Sequence, residues 1–167
     1  MKKYAMVFDA GTGAGRCNLF DMTGRLVSYA YREWEYLKDT SSSNKEAMLF
    51  DAEQFKKILF SLCCKVITQA GISADEVVAV SATSQREGMV WLDRFGKEIY
   101  AAPSVDLRGE EATDILQGKE SLIKEITGLP VSGMFGLARL LWYKRFNEAV
   151  YDRIDTVMMI SDWICYL

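Results

Sequence analysis

The residues with the clearest chemical potential are Asp9, Gly11, Thr12, Gly13, Gly15 and Arg16, a run that leaves one apolar segment and enters another. Residues 4–8 and 17–21 both have strand character, so the three glycines are expected at the bend between two strands, where they allow positive φ and let backbone N–H groups approach an anion. Asp9 stands at a strand end, where a carboxylate can hold a metal ion, and Arg16 follows the bend. A phosphate with a divalent cation suits that set. Two familiar phosphate motifs are excluded: no Gly-Lys-Ser/Thr follows, and Arg16 stands where a dinucleotide fingerprint needs glycine. The alternative is a loose hairpin turn with no ligand.

A second polar cluster, Ser84-Gln85-Arg86-Glu87-Gly88, follows the apolar run 77–81, which reads as a compact buried strand. Strand ends that deliver polar groups are where α/β folds place ligands. Gln85, Arg86 and Glu87 together offer the donors and acceptors that a polyhydroxylated ligand needs, or Arg86 and Glu87 form a solvated ion pair. Asp106 and Arg108 form a further polar group after a strand.

The elements that must position these residues follow from local signals. Asp21-Met22-Thr23-Gly24-Arg25 and Asp93-Arg94-Phe95-Gly96-Lys97 are the same hairpin device used twice. Asp51 and Gln54 open a helix over 52–70 that Gly71 closes, and Phe55, Ile58, Leu59, Leu62, Val66 and Ile67 share its sheet-facing side. Residues 38–45, with Ser41 to Asn44 at the centre, read as an exposed loop with no role. An acidic helix is expected from Gly109 to Gln117 and a short one over 121–127. An apolar helix follows over 134–146, with Leu137, Leu140, Leu141 and Tyr143 or Lys144 setting its faces. Residues 156–160 read as a buried strand, and Ser161-Asp162 as the cap of a helix that stops at Leu167 without the usual stop chemistry.

Composition bounds the function. The 167 residues suit one domain with a sizeable core, and 50% are hydrophobic. The net charge of -3 provides no basic field for nucleic acid. The absence of histidine removes His bases, His triads and His metal ligands. Four cysteines without C-x-x-C spacing read as free, mostly buried thiols. With no signal peptide and no membrane-spanning stretch, a cytoplasmic protein is expected.

Taken together, Asp9 to Gly13 with Arg16 and Asp21, the Ser84 to Gly88 cluster, Asp106 with Arg108, and Gly136 to Trp142 followed by Ile160 to Ile164 resemble the amino-terminal domain of the FGGY carbohydrate kinases. The resemblance spans essentially the whole chain. It implies an α/β, ribonuclease H-like fold of the actin, Hsp70 and sugar-kinase superfamily, with a mixed sheet, antiparallel hairpins and flanking helices. Residues 1–167 are then the truncated front of such a kinase, its C-terminal domain absent. By the same resemblance, Asp9 is the metal-associated aspartate, Gly11, Thr12, Gly13 and Arg16 meet the ATP phosphates, and Gln85, Arg86, Glu87, Asp106 and Arg108 belong to the substrate site. Departures from the family pattern fall at Gly13 and Ala14, often Thr or Ser, and at Ser104, usually Trp.

The implied reaction is transfer of the ATP γ-phosphate, with Mg2+, to a hydroxyl of a small sugar or polyol. Within the family the polar clusters look most like those of the autoinducer-two kinases and somewhat like glycerol kinase, with pentulose kinases such as those for xylulose as relatives. The family's general base lies beyond Leu167, so the resemblance implies a fragment that is inactive alone and has no catalytic residue of its own. Apolar surface left uncovered would favour self-association, such as a homodimer. The alternative is a non-catalytic actin-like nucleotide-binding or assembly module.

Overall fold

The computed structural model describes residues 3–40 and 42–167; of the polar loop expected over 38–45, Ser41 lies outside the described residues. In chain order the elements are β1 (Tyr4–Ala10), β2 (Ala14–Asp21), β3 (Leu26–Glu33), β4 (Leu37–Lys38), β5 (Met48–Leu49), α1 (Ala52–Ala70) and β6 (Val77–Ser84). There follow β7 (Met89–Leu92), β8 (Glu98–Ala102), a 3-10 helix (Arg108–Leu116), α2 (Glu120–Thr127), α3 (Gly136–Phe146), α4 (Glu148–Tyr151), β9 (Thr156–Met159) and α5 (Ile160–Tyr166). They form two compact units where the sequence suggests one domain. One unit comprises Met1–Glu35, Asp51–Arg86 and Met158–Leu167, the other Tyr36–Phe50 and Glu87–Val157.

The first unit is built on a four-stranded sheet of order β3-β2-β1-β6. β2 runs antiparallel to both β1 and β3, while β6 pairs parallel with β1, so the sheet is mixed. Alternation along β1 turns Tyr4, Met6, Phe8 and Ala10 to the interior, as the period of two in a half-buried strand requires. α1 covers β2 and β3 through Phe55, Ile58, Leu59, Leu62 and Val66. Its start is fixed by the Asp51 carboxylate, which accepts the Gln54 N–H, and its end by Gly71 in the left-handed region, φ 64°. α5 lies over β6 and β1.

Three expectations need correction here. β6 is the sheet's edge, and Val78 and Val80 are more than half exposed, so its apolar run is not enclosed on both sides. α5 begins at Ile160, earlier than the Ser161-Asp162 cap suggests: the Asp162 carboxylate reaches back to the Met159 N–H at 3.2 Å, and the Ser161 N–H is taken by Ser84 Oγ at 3.1 Å. Of the four thiols only Cys17 is buried.

The second unit holds the β4–β5 ribbon, the β7–β8 hairpin, and the helices after it. The two expected hairpin devices form alike. Asp21 Oδ1 accepts from the Thr23 and Arg25 N–H groups with Gly24 at φ 85°; Asp93 Oδ1 accepts from the Phe95 and Lys97 N–H groups with Gly96 at φ 75°. The acidic segment after Arg108 is a 3-10 helix, pressed backbone to backbone on the chain at Gly133, where a Cβ on either Gly109 or Gly133 would collide. α3 buries Ala138, Arg139, Trp142 and Tyr143, keeps Leu140 and Leu141 partly covered and leaves Leu137 about half exposed, so of the residues expected to set its faces Tyr143 lies inside and Leu137 outside. β9 is only partly covered, with Val157 exposed, where a buried strand was expected.

Candidate functional site

In the first unit the bend between β1 and β2 narrows to Gly11, Thr12 and Gly13, closed by the Gly11 N–H donating to the Ala14 carbonyl at 2.9 Å. Gly15 lies inside β2 instead, and none of the three glycines of the bend has positive φ. The requirement at Gly15 is room: a Cβ there would run into the six-membered ring of Trp34. Trp34, which sequence reasoning passed over, fixes the turn from below. Its backbone N–H donates to the Gly13 carbonyl at 3.1 Å and its indole N–H to the Thr12 carbonyl at 3.3 Å. Its ring packs on Phe55 of α1, centroids 4.4 Å apart, and Phe55 packs on Trp163 of α5 at 5.8 Å.

Because a peptide is planar and trans, holding the Thr12 carbonyl toward Trp34 turns the Gly13 N–H the opposite way. The N–H groups of Thr12 and Gly13 donate to no group among the described residues. Both residues line a concavity of about 400 Å³ together with Asp9, Gly11, Ala14, Arg16, Tyr31 and Glu33. Asp9 and Arg16 are register partners on adjacent strands, and Asp9 pairs with Thr83 on its other side. Cross-strand partners project from the same face of a sheet, so the carboxylate and the guanidinium stand together. Among the described residues the Asp9 carboxylate makes no hydrogen bond or ion pair, and Arg16 makes no ion pair; its guanidinium lies 5.7 Å from the Tyr31 ring.

This donor set fits a metal-bound polyphosphate: an unpaired carboxylate for the cation, free N–H groups and an arginine for anionic oxygens. The described residues contain no cluster of three or more carboxylate or thiol ligands for a metal, so Asp9 would share a cation with phosphate oxygens and water.

Gln85 belongs to this same turn. Its N–H donates to the Ala10 carbonyl at 2.8 Å and its side-chain amide to the Gly11 carbonyl at 3.4 Å. Arg86 is exposed, and neither it nor Glu87 forms an ion pair among the described residues, which removes the salt-bridge alternative. Glu87 has φ 59°, the one described residue other than glycine with positive φ. Such strain in a non-glycine residue is concentrated at functional positions. Glu87 is among the residues that line a cavity of about 230 Å³ within the second unit.

Asp106 and Arg108 are placed differently. Both are fully buried and face each other, Arg108 Nε lying 2.8 Å from Asp106 Oδ2. The Arg108 guanidinium also reaches Asp39 at 2.9 Å and the Tyr143 hydroxyl at 2.8 Å, and lies 5.1–5.3 Å from the rings of Tyr100, Trp142 and Tyr143. The Tyr100 hydroxyl donates to Asp106 Oδ2, and Asp106 Oδ1 accepts the Met48 N–H. Burial opposes the charge on Arg108, but Tyr143, Asp106 and Tyr100 outweigh it and keep its pKa above the ordinary value. Burial likewise raises the pKa of the Tyr100 and Tyr143 phenols. With no accessible atom, Asp106 and Arg108 tie the segment after β8 to the 38–50 ribbon and α3. The polar 38–45 segment is thereby corrected too, since Asp39 has a buried partner.

Residues 4–167 match the model of the FGGY family of carbohydrate kinases, N-terminal domain. The chain belongs to this family. It is 32% identical over 171 residues to an autoinducer-2 kinase of Salmonella paratyphi B, covering 98% of this chain and 31% of that relative. It is 33% identical over 168 residues to an autoinducer-2 kinase of Yersinia enterocolitica, covering 96% and 31%. A crystal structure of a xyloylose kinase from Brucella ovis superposes with a TM-score of 0.85 at 19% identity, over 96% of this chain and 33% of that one, a likeness of fold. This FGGY chain thus spans about a third of the length of the curated relatives it matches. No described helix is long and apolar enough to cross a membrane.

Proposed function

We propose that the chain carries the phosphate turn and part of the sugar site of an ATP-dependent carbohydrate kinase. The observation that supports this most is the Thr12–Gly13 turn. Its N–H groups are free, its carbonyls are held by Trp34, and Asp9 and Arg16 stand unpaired beside it. Bound ATP with Mg2+ would supply the phosphoryl group and neutralise part of its charge. Asp9 holds the cation, the Thr12 and Gly13 N–H groups donate to phosphate oxygens, and Arg16 balances their charge. Gln85 keeps the turn in place, while Arg86 and Glu87 orient substrate hydroxyls, Glu87 as acceptor. Asp106 and Arg108 serve the substrate site by bracing the segment between β8 and the 3-10 helix.

The substrate class is a small sugar or polyol, autoinducer-2 or a pentulose such as xylulose being the first to test. The residue that takes the hydroxyl proton is assigned to none of these positions, so the chain by itself binds and does not turn over. Val78 and Val80, exposed on β6, support self-association as a homodimer, and a cytoplasmic setting completes the proposal.

Titration calorimetry with Mg-ATP tests the phosphate half. Saturable, Mg2+-dependent binding is expected, and Asp9→Asn should abolish the Mg2+ dependence while changing unfolding free energy by less than about 1 kcal/mol. Binding that is indifferent to both Mg2+ and Asp9 would contradict the assignment. Nucleotide binding with no sugar binding by any polyol or ketose would favour the assembly module.

A further inference from the structure

Two of the four thiols meet inside the first unit. Cys17 lies in β2, the register partner of Phe8 on one side and Ala30 on the other, and turns with Leu19 to the face that α1 covers; it is completely buried. Cys63 lies on α1 four residues after Leu59 and three before Val66, both buried against that face, and it keeps part of its surface open to solvent. The two sulfurs share a hydrogen bond. That contact sorts their chemistry. The bond from Cys17 holds the Cys63 thiol below its ordinary pKa, against its partial burial, while the same bond, together with burial, pushes the Cys17 thiol up. The partly exposed sulfur thus has the thiolate character, and the buried one keeps its proton. Cys64 does not compete for this place: it is exposed, and consecutive residues of a helix do not face each other.

We propose that Cys17 and Cys63 are a peroxide-reactive thiol pair that oxidises reversibly to an intramolecular disulfide joining β2 to α1. The Cys63 thiolate attacks one oxygen of hydrogen peroxide. The O–O bond breaks, the other oxygen leaves as hydroxide and is protonated to water, and Cys63 becomes a sulfenic acid. The Cys17 sulfur then attacks the Cys63 sulfur, the S–O bond breaks, and the hydroxyl departs as water with the Cys17 proton. Each thiol has given up one electron and one proton, and the peroxide has been reduced to two waters. A small dithiol reopens the bond by thiol–disulfide exchange. Because Cys17 directly follows Arg16 in β2, the disulfide fastens the strand that carries Arg16 to the helix behind it.

The test treats the folded, reduced chain with hydrogen peroxide in slight molar excess, alkylates it with N-ethylmaleimide and maps the digested peptides by mass spectrometry, with fragmentation to tell Cys63 from Cys64. A peptide pair joined from Cys17 to Cys63 is expected, lighter than the two reduced peptides by two hydrogen atoms and separated again by dithiothreitol, with Cys64 and Cys165 alkylated. Cys17→Ala removes the thiol that resolves the sulfenic acid, so capture of Cys63 by dimedone should rise several-fold over the unsubstituted chain. Circular dichroism checks the fold of that variant; if it does not fold, the joined peptides of the unsubstituted chain decide alone. All four thiols alkylated after peroxide, oxidation that falls first on Cys64 or Cys165, a disulfide between two chains, or a Cys17→Ala chain that folds and gives no dimedone adduct at Cys63 overturns the inference.

Discussion

Gly15 and Trp34 show how a single residue can decide a site that it does not touch. A methyl group at position 15 would push the Trp34 ring away, and with it the hydrogen bonds that hold the Thr12 and Gly13 carbonyls. Gly15→Ala is therefore expected to cost about 1–3 kcal/mol in urea unfolding and to weaken Mg-ATP binding as well; an unchanged midpoint would show that the ring is free to move. Asp106→Asn should cost more, about 3–5 kcal/mol, because Arg108 would be left as a buried charge facing only Asp39 and the Tyr143 hydroxyl. A loss below about 1 kcal/mol would mean that the pair is solvated. The polar character of Asp106 and Arg108 was legible in the sequence, but their burial was not: charged residues after a strand look alike whether they face water or each other. Trp34 was hidden for the converse reason, since an aromatic near a strand end gives no sign that its N–H groups brace a turn.

At the scale of elements, local chemistry was readable wherever one residue type answers one backbone need. The Asp51 cap, the Gly71 stop and both Asp-x-x-Gly hairpins form as read. These hairpins predict an acid response. In Asp21 the Thr23 hydroxyl, aided by the Arg25 and Thr23 N–H groups, holds the carboxyl below its ordinary pKa; in Asp93 the Lys97 N–H leads, with Phe95 and Arg153. A carboxyl whose folded pKa is depressed stabilises the fold above its unfolded value, near 3.9, and loses that contribution as pH falls through the folded value. Asp21→Asn should thus lower the melting temperature at pH 7, and the gap to the unsubstituted chain should close toward pH 2. A gap that persists at pH 2 would assign the effect to shape instead of charge. Where an element is apolar all round, the sequence does not say which side is covered. α3 turned Arg139 inward and Leu137 outward, and β6 proved to be an edge.

For the molecule as a whole, the first unit holds the Thr12–Gly13 turn, and the second the Glu87 cavity and the buried Arg108 network. The family match extends over both units, residues 4–167, and the chain spans about a third of its relatives' length. The central claim is that free N–H groups of the Thr12–Gly13 turn receive phosphate oxygens beside a cation on Asp9. Amide-resolved NMR during titration with magnesium pyrophosphate tests it most directly. The Thr12 and Gly13 amide signals are expected to shift first and farthest, and Asp9→Asn to abolish the shifts. Saturable binding that leaves those two amides unmoved would contradict the account.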